Sequence, residues 1–385
     1  MAKVLFYDKE FSVENFLSLA QGCVLTAHRL TELYENKDVD SLIIPSRGAY
    51  PIFRGVFDAL KGSELEEILS VPSFMKVEGS SEEGEFPVVP VPLTADVYIP
   101  KEKLRRYGKS LDQVVDEIRD SGSYLISLLF KDGKERKEDK CFKAFELLLE
   151  EVEGRKEIAN YYRQLRPLKK PVILDTLISG RAFYTILQSL DKYGVKLGQN
   201  LHGIGIVDLE GAKLKREYKG WLKQQEAKGN VTLIPVKRIM SEDRGASLLG
   251  IVGCIYPNLF LEASKAMECP ICAVTWHVLP DGENSRSREV RERVKKYNQA
   301  FKLYMKCLES AVGYVMGRTE LDPLESSRKK LIALLNEHKL LVPEEKPEPS
   351  LFTKLRVKGI YETGAHVIHL EFDPNLIRMF IRNLS

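Results

Sequence analysis

The sequence predicts an α/β protein with a mainly parallel sheet and flanking helices, and three observations carry that prediction. Short apolar runs at Leu42–Ile44 and Val172–Leu174 have the length and composition of buried strands, and Leu201–Asp208 reads as the next strand. Two of these runs lead through a small-residue turn into apolar residues at helical spacing: Ile52, Phe53, Val56, Phe57 and Leu60 after the first, Phe183, Ile186, Leu187 and Leu190 after the second. The strand–helix alternation then continues through a charged helix at 212–228 to Val231–Val236. This is the pattern of βαβ units, with right-handed crossovers expected between parallel strands.

Each element follows in order. An edge strand is expected at Val4–Tyr7. A helix follows with Ser12 as N-cap and a stripe of Phe16, Ala20, Cys23, Ala27, Leu30 and Tyr34; His28 lies beside that stripe and reads as a solvated side chain. Ser46-Arg47-Gly48-Ala49 form the turn after the first strand. Residues 79–85 are a polar loop. Phe86–Ile99 carries Pro87, Pro90 and Pro92, which points to an extended or edge segment rather than a central strand. Helices are expected at Leu111–Phe130 and Cys141–Leu165, with a charged turn at 131–140 between them. The basic run Lys101–Tyr107 reads as a solvated face.

Beyond the last strand, Glu242, Asp243 and Arg244 lie in a small-residue loop. Cys269-Pro-Ile-Cys272, with Cys254 and His277 nearby, supplies only one close pair of thiols. A structural zinc site needs four ligands, so these cysteines read as packed thiols and no metal site is assigned to protein side chains. Long helices are expected at Arg288–Met316 and at 323–338. The domain reading is an α/β unit at 1–284 with a mainly helical insertion at about 63–168, a helical module at 285–342, a proline-rich linker at 343–350 and a small β-hairpin tail at 351–385.

Composition narrows the class of protein. A net charge of +3, with acids and bases interspersed, does not indicate nucleic acid as a partner. No stretch approaches the roughly 18 to 20 continuous apolar residues of a membrane span. Six cysteines over 385 residues, without dense spacing, fit a reducing compartment, and the chain is expected in the cytoplasm.

The stretch Val172-Ile-Leu-Asp175-Thr-Leu-Ile-Ser179-Gly180, followed by a helix, resembles the phosphoribosyl-diphosphate signature of type I phosphoribosyltransferases. That signature is a hydrophobic strand, two acids, three variable residues and Thr-Gly. Asp175 matches the second acid, Ser179 the Thr and Gly180 the Gly; Leu174 stands in place of the first acid. The upstream loop Ser46-Arg47-Gly48-Ala49 resembles the family's diphosphate loop. The resemblance covers residues 38–60 and 170–210.

The resemblance implies a sugar-phosphate site assembled from both loops. The N–H groups of Thr176, Leu177, Ile178, Ser179, Gly180 and Arg181, with the Ser179 hydroxyl, are expected to hold a 5-phosphate at a helix N-terminus. Asp175 is expected to accept from ribose hydroxyls. Arg47 is expected to offset charge on departing diphosphate. The family adds Mg2+ bound through the substrate's own oxygens. The expected activity is transfer of phosphoribose to a nitrogenous acceptor. With one acid replaced by Leu174, a non-catalytic module that binds a nucleotide or sugar phosphate and acts on a partner protein stands as the alternative, and an interaction protein or homo-oligomer carried by the long helices as a third.

Overall fold

The computed structural model describes residues 8–45, 49–75, 77–91, 111–147, 156–210, 214, 216–239 and 288–337. Six strands form one all-parallel sheet: β1 (Ser41–Ile44), β2 (Leu69–Ser70), β3 (Phe86–Pro90), β4 (Pro171–Leu177), β5 (His202–Asp208) and β6 (Val231–Val236), in the order β2-β3-β1-β4-β5-β6. From β1 the chain runs to the β2–β3 side, and from β4 it runs to the β5–β6 side. β1 and β4 are neighbours, with Leu42 opposite Val172 and Ile43 opposite Ile173. The winding therefore reverses between them, which is the position where open α/β sheets place ligands.

Helices α1 (Val13–Glu35), α2 (Ala49–Leu60) and α3 (Glu64–Ile68) precede β2. Ser12 caps α1, its Oγ accepting from the Asn15 N–H at 3.2 Å. α1 lies on one face of the sheet so closely that a Cβ at Gly22 would come within 2.4 Å of Val236 Cγ1. Between β3 and β4 stand α4 (Leu111–Leu128), α5 (Gly133–Glu138), α6 (Lys140–Leu147) and α7 (Lys156–Gln164). The turn expected at 131–140 thus holds a short helix, because Asp132 caps it through the N–H groups of Lys134 and Glu135. The helix expected at 141–165 is described as α6 and α7; residues 148–155 between them lie outside the described residues. Tyr161 and Tyr162 of α7 donate to the carbonyls of Val88 and Pro90 and tie these helices to the sheet. Arg136, fully buried, donates to the Leu165 carbonyl and stands 5.5 Å from the Phe142 ring centre.

Two expectations change here. Residues 69–70 and 86–90 contribute strands to the sheet and are not part of the helical insertion. β3 is also an internal strand despite its prolines. The Val91 N–H donates to Ile44 at 2.8 Å, so odd positions of β3 face β1; Pro87, the odd proline, precedes the first β1–β3 pair, Leu42 with Val88. The donor that Pro90 lacks faces the other way, beyond the end of β2, which pairs only with Phe86 and Pro87.

On the opposite face lie α4, α8 (Arg181–Lys192) and α9 (Arg216–Ala227). β5 makes room on this face with glycine: a Cβ at Gly203 would stand 2.9 Å from Phe183 Cζ of α8, and one at Gly205 2.3 Å from Leu177 Cδ1 of β4. α8 ends in a Schellman turn, the Val195 N–H bonding Leu190 and the Gly194 N–H bonding Asp191, with Gly194 at φ 84°. The hairpin α10 (Arg288–Val315) and α11 (Asp322–Glu337) packs over α1 and α2, and its buried Tyr304 and Leu308 join the same apolar core. Arg318, in the hairpin turn, donates to the carbonyls of Asp58, Ala59 and Lys61 and caps the C-terminus of α2. Among the described residues no helix is long and apolar enough to cross a membrane. Val4–Tyr7, the loop with Glu242 to Arg244, the 269/272 cysteine pair, the 343–350 linker and the 351–385 tail lie outside the described residues.

Candidate functional site

The two loops singled out by sequence leave the carboxyl ends of neighbouring strands. Ser46, Arg47 and Gly48 lie outside the described residues, but the residues that bracket them are placed: Pro45 follows the end of β1, and Ala49 is already the first residue of α2 rather than part of the turn. α2 therefore begins at the carboxyl end of β1 and α8 at the carboxyl end of β4. One lies on each face of the sheet, as expected at a switch point.

The β4 loop differs in detail from the expected cradle. Asp175 is not at the strand tip: β4 continues to Leu177, and Asp175 pairs in register with Gly205. Its side chain is 3% exposed, and its Oδ1 accepts the Thr176 N–H at 2.8 Å. That amide is thereby committed to Asp175. Thr176 and Leu177 are strand residues opposite Ile206 and Val207, and Leu177 is buried over Gly205. The segment that leaves the sheet is shorter than expected: Ile178, Ser179 and Gly180, followed by the first helical residue Arg181.

Within that segment the local chemistry is consistent with a tight loop entering a helix. The Ser179 Oγ accepts the Arg181 N–H at 3.4 Å, and the Gly180 carbonyl takes the first helical bond from Tyr184 at 3.0 Å. Gly180 caps α8 at φ 77°, a conformation that favours glycine. A Cβ there would also stand 2.6 Å from Leu214 Cδ1 and 3.3 Å from Tyr218 Cβ. The approach to α9 thus demands glycine for a second reason. With the helix dipole behind it, such a loop end attracts an anion.

Asp175 does not project from the sheet edge as a ribose acceptor would. It lies beneath the loop, engaging the amide of the next residue. Leu174, in place of the other acid, is 1% exposed and pairs with Ile204. Two adjacent residues of a strand face opposite sides, so Leu174 belongs to the core on the α2 face while Asp175 faces α8. Among the described residues no cluster of three His, Cys, Asp or Glu side chains is placed to hold a metal.

A second feature is a groove formed by residues far apart in the sequence. A groove of about 530 Å³ runs along the outer side of α8 between α4 and α9. It starts at Arg181, directly after the loop, where the guanidinium pairs with Asp116 of α4 at 2.9 Å. Residues 65 apart meet in that pair, so no local pattern announces it. Comparison of the chain with protein-family models, with curated proteins and with solved structures finds no match in any of the three.

Proposed function

We propose that the crevice at the ends of β1 and β4 binds a phosphorylated ribose of the phosphoribosyl-diphosphate type, in the manner of a phosphoribosyltransferase-like protein. The observation that carries this reading is the strand order. It makes β1 and β4 neighbours at a reversal of winding, so that the two loops matching the family pattern leave adjacent strand ends. Ser179, Gly180 and Arg181 would receive the phosphate, the dipole of α8 supporting its charge. Asp175, buried and bonded to Thr176, acts as a positioning residue for the base of the loop. Magnesium travels as part of the substrate, and the charge it supplies is that of a counter-ion to diphosphate.

The burial of Asp175 and the leucine at 174 favour retention of this site for binding over turnover. Transfer is the second reading, supported by the order of the Arg47 and Asp175 loops along the chain. In it a nitrogen nucleophile forms a bond to the ribose C1 as the bond to diphosphate breaks, and Arg47 offsets the charge on the leaving group.

Isothermal calorimetry with phosphoribosyl diphosphate and magnesium tests the site. Wild type should give a saturable heat. Ser179→Ala, which removes a hydroxyl from the loop, should weaken binding about fivefold, the value of one ordinary hydrogen bond. No heat with wild type would reject the site. Diphosphate release in the presence of a panel of nucleobases, lost in Asp175→Asn, would establish transfer; binding without release would establish the non-catalytic reading.

A further inference from the structure

The groove beside α8 has a definite chemistry. The helix contributes Arg181, Tyr184, Gln188 and Lys192, three or four residues apart and so along one side. α4 supplies Asp116 and Asp120, and α9 supplies Tyr218. Each charged group at the ends of the groove has an opposite partner in place: Arg181 with Asp116 at 2.9 Å, Lys192 with Asp120 at 3.2 Å. The Tyr193 hydroxyl also donates to Asp120 at 2.7 Å. An anion or a cation entering this groove would have to compete with an existing pair. A neutral ligand leaves both pairs intact.

The middle of the groove is aromatic and amide in character. Tyr184 is held by two rings of α9: Tyr218 at 5.1 Å between centres, inclined by 37°, and Trp221 at 5.0 Å, edge-on at 89°. Its orientation is thus set before any ligand arrives, which lowers the ordering cost of stacking. The Gln188 amide is exposed and offers both a donor and an acceptor. A volume of about 530 Å³ is in the range of small-molecule sites.

We propose that this groove is a second site, distinct from the β1–β4 crevice, that binds an uncharged nucleoside: the base stacks on the Tyr184–Tyr218 pair and its edge bonds Gln188. Planarity matches the rings, neutrality matches the pre-paired charges, and a donor–acceptor edge matches the amide. The groove and the crevice share only Arg181, whose side chain is turned to Asp116, so the two sites are separable by mutation.

Titration of the full chain with adenosine, guanosine and uridine, followed by saturation-transfer NMR and calorimetry, tests the proposal. At least one nucleoside should bind in the submillimolar range, and its 5′-monophosphate should bind no more tightly. Tyr184→Ala should weaken binding at least tenfold. Gln188→Arg, at an exposed position that leaves the core untouched, should do the same by filling the groove. Ser179→Ala should leave it unchanged, so failure of the crevice reading and failure of this one are distinguishable. No binding of any nucleoside at millimolar concentration overturns the proposal. So does binding indifferent to Gln188→Arg in a variant whose circular dichroism matches wild type, binding lost in Ser179→Ala, or a monophosphate preferred tenfold or more.

Discussion

The two faces of the sheet are built differently. On the α1 face three helices and more sit one behind another: α1 and α2 cover the strands, and α10 covers both helices. Cys23, Phe53, Tyr304 and Leu308 are all buried there, and the Phe16 and Tyr304 rings meet at 5.5 Å. Burial pushes the Cys23 thiol far above its ordinary range and the Cys307 thiol up to about 12, so both remain protonated and act as small apolar groups. On the α8 face the described residues form one helical layer. Its outer side carries aligned ion pairs and half-exposed tyrosines facing a groove, and its N-terminus carries the candidate loop. The contrast teaches where function has room. The deeper face is committed to stability, while the thin face leaves polar groups near the surface where a ligand can reach them.

Removing a side chain from the deep face should therefore have the largest effect. Leu308 is fully buried, and its Cδ2 would stand 3.2 Å from a Cβ placed at Gly55. Leu308→Ala should cost about 3 to 4 kcal/mol, since a site enclosed by α1, α2 and α10 cannot collapse around the cavity. Urea denaturation measures this. A loss under about 1 kcal/mol would show that α10 is loosely seated and that the contrast between the faces is false.

The thin face should respond most to added volume. Gly205→Ala drives a methyl group into Leu177, which is itself 1% exposed, with Leu233 Cδ2 at 3.4 Å on the other side. The expected loss is about 1 to 3 kcal/mol by overpacking. Because Leu177 is the last residue of β4, the same change should shift the loop it leads into. Phosphoribosyl diphosphate binding should weaken along with stability. Unaltered binding in a destabilised Gly205→Ala protein would show that the loop is insulated from the strand beneath it.

The sequence made much of this arrangement readable, for reasons that differ by element. α1, α2, α8, α10 and α11 were legible because each buries one face and carries a periodic stripe. β1, β4, β5 and β6 were legible as short apolar runs. β3 was not, since Pro87 and Pro90 argue against an internal strand unless one knows that pairing with β1 starts only at Val88 and that β2 is only two residues long. The depth of Asp175 was not legible either. An acid after three apolar residues looks like a strand tip, whereas pairing with β5 carries β4 two residues further. The groove could not be read at all. It needs α4, α8 and α9 in one place, and its ion pairs join residues 65 and 72 apart.

The smallest expected effect belongs to the opposite edge of the sheet, far from both sites. His202 begins β5, its Nε2 3.2 Å from the Thr232 hydroxyl, which also accepts from Arg29 Nε at 3.2 Å. Burial holds the imidazole down to about 4, the Arg29 charge adds to this, and Asp38 opposes it. An unfolded histidine titrates near 6.5. Between these values the unfolded chain takes up a proton that the folded chain refuses, so stability contributed by the neutral ring is complete above about pH 6.5 and lost as pH falls toward 4. After allowance for partial exposure the loss at pH 5 should be about 1 kcal/mol. His202→Gln keeps a partner for Thr232 and removes the titration. Melting curves of wild type and variant should therefore run parallel from pH 8 to 7 and converge or cross below pH 6, with ligand affinity at both candidate sites unmoved. Parallel curves down to pH 4 would mean that the ring is reached by water in the folded state, and that the sheet is open at its amino edge as well as along α8.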